Sequence, residues 1–244
     1  MGRIKTVFHV HTDYSRDSNN TVDGLLAEAR ARGVGCLAIT DHDTLAGARA
    51  AAARAGGDVR IIIGEEISTT RGHLIGLFLH EHVEPGRSPR KTAELIKRQG
   101  GLVVVPHPFN RLFGCSLREA VADLIDLVDA VEVCNAQNLL PFPNRRARAL
   151  AEEHGLPMLV GVDTHHPGGL DSCFQLLPDF DGPEGFLAAI RRGRLFEGRH
   201  PLGYFAEAGW FTLCDKLGLP VPASYGRCHG CDEPPGAAVS GEPA

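Results

Sequence analysis

The chain has 244 residues, 43% hydrophobic and 23% charged, with a formal net charge of −5. That length suits one barrel-sized domain or two small ones with ample core. The acidic balance excludes a broad basic surface of the kind that grips a nucleic-acid polymer, and no apolar run reaches the roughly 18 residues that span a bilayer.

Thr6-Val7-Phe8 opens the first β-favouring run. His9 and His11 stand two apart, a spacing that puts both imidazoles on one face of a strand, and Asp17 follows in the loop. Asn20 and Thr21 offer N-caps to a helix with Val22, Leu25, Leu26 and Ala29 on its apolar face and Gly33 as its stop. The uninterrupted run from Gly35 to Thr40 reads as a strand buried on both faces. It ends at Asp41-His42-Asp43, and an Ala-rich helix is expected from Thr44 to Ala55. A third strand over 59–63 ends at Gly64-Glu65-Glu66, and a fourth over 72–79 carries His73.

Ser88-Pro89 starts a helix that runs to Gly100, because proline fits the first helical position. A fifth strand, 102–105, ends at Pro106-His107-Pro108. The capping-box spacing of Ser116 and Glu119 predicts a further helix. The sixth strand, 130–134, ends at Asn135, and a basic helix follows from Asn144 to His154. The seventh, 158–162, ends at Asp163-Thr164-His165. A helix over 183–193 and a short strand over 195–197 complete the regular pattern.

Strands alternating with helices predict parallel pairing, and polar residues gathered at strand C-terminal ends predict an α/β barrel with its chemistry on that face. The domain is expected to span 1–213. The extension 214–244 turns rich in Pro, Gly and Ala and is expected to be partly disordered. The seven cysteines are scattered and odd in number, and Cys36, Cys134 and Cys173 sit in or beside apolar runs. They read as reduced thiols, and a cytoplasmic location is expected. Cys228-His229-Gly230-Cys231 lacks a second cysteine pair and is expected to be a free tail motif rather than a zinc site.

Collected from the strand ends, His9, His11, Asp17, His42, Glu66, His73, His107, Asp163 and His165 are all imidazoles or carboxylates. So many titratable groups packed on one barrel face repel or stay unsatisfied without a cation. They are too many for one ion and suit two or three. The mixed nitrogen and oxygen set favours Mn, Zn or Fe over Mg or Ca.

These motifs, over residues 7 to 165, resemble those of the PHP (polymerase and histidinol phosphatase) family, in the branch of small stand-alone metal-dependent phosphoesterases. The resemblance implies a distorted (β/α)7 barrel with a trinuclear metal centre. It implies that His9, His11, Glu66 and Asp163 hold one ion and that Glu66 bridges to a second, held also by His73 and His107. Asp17, His42 and His165 would hold the third. It places the bridge at Glu66, so that Glu65 points to the opposite side of the strand. It implies a hydrolase in which a metal-activated hydroxide attacks a phosphorylated small molecule or nucleotide, with zinc, manganese or iron serving the family.

Glu66 and His42 are the expected catalytic positions, with Arg111 at the reacting phosphate. Arg111, Asn135 and Arg145 are the expected substrate contacts, with Arg146 and Arg148 beside them, and Asp41, Asp43 or His166 are candidates to serve the leaving alcohol. No stable complex with a nucleic-acid polymer and no membrane association are expected. The alternatives are an exonuclease on short oligonucleotides, a non-catalytic PHP module, which the full ligand set argues against, and amide hydrolysis.

Overall fold

The structure, a computed structural model, describes residues 2–110 and 116–217. Arg111, Cys228, Cys231 and the extension beyond 217 lie outside the described residues, as do the expectations placed on them.

Seven strands follow one another round a closed barrel: β1 (Arg3–Val10), β2 (Cys36–Ile39), β3 (Arg60–Thr69), β4 (Gly72–Leu77), β5 (Leu102–Val105), β6 (Ala130–Asn135) and β7 (Met158–Thr164). The order β2-β3-β4-β5-β6-β7-β1 returns to β2 through the β1–β2 pairing. Every neighbour is parallel except β4, which runs antiparallel to both β3 and β5.

That reversal is the barrel's distortion, and it corrects the expectation of uniformly parallel pairing. β3 does not stop at Glu66 but continues to Thr69 and folds back through Thr70 and Arg71. A parallel crossover needs about a dozen residues or more, so this short link permits only a hairpin. Its register sets Glu66 opposite Ile75 and Ser68 opposite His73. A further strand that the sequence pattern did not reveal, β8 (Phe174–Pro178), pairs antiparallel with the first half of β1, and β9 (Arg194–Phe196) pairs with β8.

The helices are α1 (Val22–Ala31), α2 (Ala46–Arg54), α3 (Pro89–Arg98), α4 (Pro141–Glu153), α5 (Gly182–Arg192) and α6 (Leu202–Leu217). Thr21 Oγ1 caps α1 by accepting from Gly24 N, and Ser88 Oγ caps α3 by accepting from Lys91 N. The helix expected to open at Ser116 begins instead with Leu117 at its N-cap, with no side-chain cap. Arg118–Leu127 is a 3-10 helix, and the Ser116 hydroxyl serves the carbonyls of His107 and Asn110 instead. The expected domain boundary after residue 213 falls inside α6.

The barrel interior is filled by Phe8, Ala38, Ile62, Ile75, Leu77, Leu102, Val104, Ala130 and Leu159, and Phe180, Phe186 and Ile190 from around α5 join them. Each fully buried side chain of this size contributes about 1.5–3 kcal/mol. The alternate residues face the helices: Val7, Val10, Leu37 and Ile39 pack with Leu25 and Leu26, and Val103, Val105 and Val131 pack with Ile96 and Leu124. With both faces of the strands committed largely to apolar packing, most of the histidines and carboxylates gather toward one end of the barrel, and Glu132 is a buried exception inside β6. Cys36, Cys134, Cys173 and Cys214 are free and buried. Among the described residues no helix is long and apolar enough to cross a membrane.

Candidate metal centre

The backbone at the end of β1 bends to bring His9, and His11 just beyond the strand, inward. Phe8 belongs to the interior cluster and Val10 to the helix-facing one, so simple alternation would send His9 outward. Instead His9 has φ 66°, and the β1 register slips between Phe8 and Val10 against β7. His107 (φ 26°) and Asp163 (φ 49°) are left-handed as well. Non-glycine residues held there cost about 1–3 kcal/mol each, which locates stored strain at three of the expected ligand positions.

Around these bends the structure brings together all of the histidines and carboxylates that the sequence singled out. Glu66, buried on β3, divides its oxygens between two groups. Its Oε2 lies 2.9 Å from His9 Nε2 and 3.2 Å from His11 Nε2, and Asp163 Oδ1 is 3.5 Å from both of those nitrogens. Its Oε1 lies 2.9 Å from His73 Nδ1 and 3.0 Å from His107 Nε2. A third group forms where Asp17 Oδ2 lies 3.5 Å from His42 Nε2 and 3.4 Å from His165 Nε2. Glu65 faces the other way, accepting from Val83 N and bonding His82 Nδ1 at 2.6 Å. Val162 packs in the helix-facing cluster, away from the histidines.

Neighbouring groups fix which nitrogen of several rings faces inward. His9 Nδ1 donates to Glu132 Oε1 at 2.8 Å, and His165 Nδ1 donates to the carbonyl of Asp163. Ser15 Oγ donates to Asp41 Oδ1, so its remaining capacity accepts from His11 Nδ1 and from His42 N. In each case Nε2 is the nitrogen that faces the interior, where it can exchange a proton for a cation. Such outer partners are what set the tautomer of a metal-binding imidazole. His11 Nε2 is buried with only the Glu66 and Asp163 carboxylates beside it, a position suited to a nitrogen that shares a cation with them.

Asp41 and Asp43 are therefore structural supports rather than groups open to a leaving alcohol. Asp41 also accepts from Thr12 N and Oγ1, and Asp43 accepts from Ser68 N and Oγ. A Cβ at position 47 would stand 2.0 Å from Asp41 Oδ2, which is why glycine occupies that turn of α2.

Glu132 was not recognised from the sequence, although a lone carboxylate in the apolar run Ala130–Cys134 is a signal in itself. It is 1% exposed, bonds His9, and accepts from His107 N and Asn135 Nδ2. A Cβ at Gly161 would stand 1.7 Å from its Oε1. Asn135, expected at the substrate, spends its amide hydrogens on Glu132 Oε2 and Asp163 Oδ2, so it braces the carboxylates.

The cavity over the cluster measures about 480 Å³ and is walled on one side by Phe205, Ala208 and Gly209 of α6, with Gln137, Asn110 and His166 at other points. α6 was also missed. Its Tyr204 hydroxyl accepts from His165 N (2.9 Å) and His166 N (3.2 Å), and lies 3.1 Å from Thr164 Oγ1. Tyr204 stacks on His200, whose Nε2 donates to Val162 O. This pair holds the end of β7, which carries Asp163, and the turn after it, which carries His165. Of the arginines expected near the substrate on α4, Arg145 and Arg148 line a different cavity, and Arg146 stacks on Phe109.

Charge in the cluster is mutually supported. Burial opposes charge on His9, but Asp163, Glu132 and Glu66 outweigh it and hold its pKa well above the usual value. Burial likewise opposes charge on His11, and Asp163 and Glu66 still raise it to about 9. Burial disfavours the anions of Glu66, Asp163 and Asp17 too, yet the surrounding imidazoles hold all of them below the ordinary range. His42, where burial prevails, falls to about 4. The carboxylates thus demand positive charge, which protons on the imidazoles supply in the ion-free state. Donor atoms of His9, His11 and Glu66, of His42, Glu66 and His73, and of His11, His42 and His165 each lie within 4.8 Å of one another, close enough to hold a metal ion.

Comparison with known proteins agrees with this arrangement. The family description "PHP domain" matches residues 8–166 and "PHP-associated" matches residues 141–195. The uncharacterised protein MJ1587 of Methanocaldococcus jannaschii is 40% identical over 144 residues, which is 54% of this chain and 82% of that protein. A Bifidobacterium adolescentis protein, provisionally named a metal-dependent phosphoesterase, shares the fold with a TM-score of 0.58 at 18% identity, covering 81% of this chain and 98% of its own. The lesion-specific endonuclease EndoQ of Pyrococcus furiosus shares it with a TM-score of 0.60 at 17% identity, covering 79% of this chain, which spans 57% of that protein. The first of these matches begins one residue before His9 and ends one residue after His165, enclosing the whole cluster, and so the chain belongs to the PHP family.

Proposed function

We propose that the chain is a metal-dependent phosphoesterase acting on a phosphorylated small molecule or a nucleotide. The observation that carries the reading is the division of Glu66, one oxygen toward His9 and His11 and the other toward His73 and His107. A carboxylate so placed is suited to bridge two cations. His9, His11, Glu66 and Asp163 would hold one, Glu66, His73 and His107 a second, and Asp17, His42 and His165 a third. The donor set fits such ions, because His9, His11 and His165 have outer partners at Nδ1 that leave Nε2 facing the interior, where the Glu66 and Asp163 carboxylates lie beside the nitrogens of His9 and His11. The mixed set points to Mn, Zn or Fe.

Divalent ions bound there supply Lewis acidity toward phosphate oxygens and lower the pKa of water. The chain's own residues supply the rest. Glu132, Asp41 and Asn135 hold the imidazoles and carboxylates in place, so little reorganisation is needed as charge builds on the phosphate. His166, which burial pushes down to about 4, is neutral at physiological pH and lines the cavity, where it offers a hydrogen-bonding group to the leaving side of a substrate. α6 covers one side of the reacting centre and limits its exposure to bulk water.

The substrate is small. The cavity volume lies within the roughly 300–1,000 Å³ of small-molecule sites, and no lysine or arginine appears among its described lining residues. A polymer held through several phosphates needs such a cationic track and shows affinity that falls steeply with salt. The test is kcat/KM of metal-loaded protein for a nucleoside monophosphate and related esters, against a short RNA, over a range of salt. Efficient turnover of the small esters is expected. A strong preference for RNA that weakens steeply with salt would make the oligonucleotide exonuclease the better reading.

A further inference from the structure

The arginines of α4 divide between two places. Arg146 lies over the ring of Phe109, at 4.1 Å from its centroid. Arg145 and Arg148 turn instead to a separate cavity of about 410 Å³, which they line with Arg199, Asn138, Asn144 and Glu197. It shares no lining residue with the histidine cavity. Three guanidinium groups there face one carboxylate, in a chain whose net charge is −5.

The cations are not all spent internally. Arg148 pairs with Glu197, and Arg199 donates Nη1 to Leu139 O at 2.8 Å. Among the described residues Arg145 takes part in no hydrogen bond or ion pair. The first turn of α4 adds to the positive field at the same spot. Pro141 begins the helix, Leu140 supplies no side-chain cap, and the first turn has no acidic residue. The helix N-terminus adds partial positive charge to this field, but Pro141 and Pro143 have no N–H to donate, so the guanidinium groups are the donors for an anion.

We propose that this cavity is a second, non-catalytic anion site, taking the phosphate group of a small phosphorylated molecule. The excess of two positive charges and the forked geometry of arginine suit a phosphate dianion. The volume exceeds that of phosphate alone, and Val133 and Pro141 give an apolar surface for the rest of the ligand. The described lining holds no imidazole, and its carboxylate is bound to Arg148, so the cavity binds phosphate without hydrolysing it. It also touches the reaction centre through one residue. Asn144 Oδ1 accepts from Asn135 N, and the Asn135 amide braces Glu132 and Asp163.

The experiment is calorimetric titration of the full-length, metal-loaded protein with inorganic phosphate, and then with phenylphosphonate, which cannot be hydrolysed. Two classes of site are expected in the unsubstituted protein. Arg145→Glu should weaken one of them about tenfold or more and leave the other in place, and Arg199→Gln should weaken the same one. His42→Ala should weaken only the other. Phenylphosphonate should bind the arginine site more tightly than phosphate does. Arg54→Glu on α2 makes the same change of charge outside the cavity and controls for the general field, and unchanged melting of Arg145→Glu verifies that it folds. A single class of site removed by His42→Ala overturns the proposal, as does an Arg145→Glu effect no larger than that of Arg54→Glu.

Discussion

Glu65 and Glu66 are neighbours on β3, each with no more than 1% of its surface exposed, and they occupy opposite surroundings. Glu66 points into the barrel, where four imidazoles lie within 3.2 Å of its two oxygens and His42 Nδ1 lies at 3.7 Å. Glu65 points out of the barrel, where one histidine and one backbone amide satisfy it. Buried carboxylates need partners on either face, so burial and charge alone do not mark a reactive residue. What separates them is the partners' capacity. The Glu65 partners close its hydrogen bonding locally, whereas the groups around Glu66 turn ring nitrogens toward a shared interior, where a cation can replace their protons.

Substitution of the two residues should give the largest difference between the two faces. Glu66→Gln removes the charge shared between the two groups, and turnover should fall by roughly a thousandfold or more, with loss of bound metal by elemental analysis. Glu65→Gln should keep metal content and turnover within a few-fold, while destabilising the fold by about 1–3 kcal/mol in urea unfolding as its buried hydrogen bonds are disturbed. Equal loss of metal in the two variants would break the comparison at its root.

Glu132 tests whether the inner face depends on the layer beneath it. Glu132→Gln leaves every proposed ligand in place but weakens the acceptor that holds His9 Nδ1–H. Metal affinity measured against a chelator should fall about 10–100-fold, less than for Glu66→Gln. A variant with undiminished affinity would show that the strained backbone at His9 orients the ring unaided.

The inner face was largely legible in the sequence, and the reason is topological. The barrel commits strand interiors to Val, Ile and Leu, so a histidine or carboxylate ending an apolar run stands out, as at His9, His107 and Asp163. The layer beneath was less legible, because Glu132 lies inside a run rather than at its end and its partner is 123 residues away in the chain. The β3–β4 hairpin was hidden by reading Gly64-Glu65-Glu66 as a stop, although too few residues separate β3 from β4 for a helix to intervene. α6 escaped because Leu202, Trp210, Leu213 and Leu217 are exposed and blur its apolar periodicity, while Tyr204 and Cys214 are the positions that bury.

Tyr204 sharpens the comparison from above, since it acts on backbone rather than on a ligand side chain. Tyr204→Phe removes the oxygen that accepts from His165 N and His166 N. The turn carrying His165 should loosen by about 1–2 kcal/mol. At limiting metal the expected result is lower occupancy of the Asp17, His42 and His165 group alone, read as the number of ions retained per chain. Full retention of every ion would leave Tyr204 a packing residue only.

The smallest expected effect lies on the outer face and concerns pH. The hydrogen bond to Glu65 raises the His82 pKa above its ordinary value, more than partial burial lowers it. A histidine whose folded-state pKa is raised contributes stability that is complete below its unfolded pKa, about 6.5, and is lost as pH rises through the folded value. The margin of the unsubstituted protein over His82→Gln should therefore be greatest near pH 6 and shrink toward pH 9. Because His82 is 37% exposed at its side chain, solvent screening limits the change to about 1 kcal/mol or less. Urea midpoints of the two proteins, compared at each pH, give the margin directly. Titration of the inner cluster affects both proteins alike and cancels in the difference, which isolates the outer face from the inner one. A margin that stays constant from pH 6 to 9 would mean that Glu65 is held by Val83 N alone and that His82 adds no charge-dependent stability to β3.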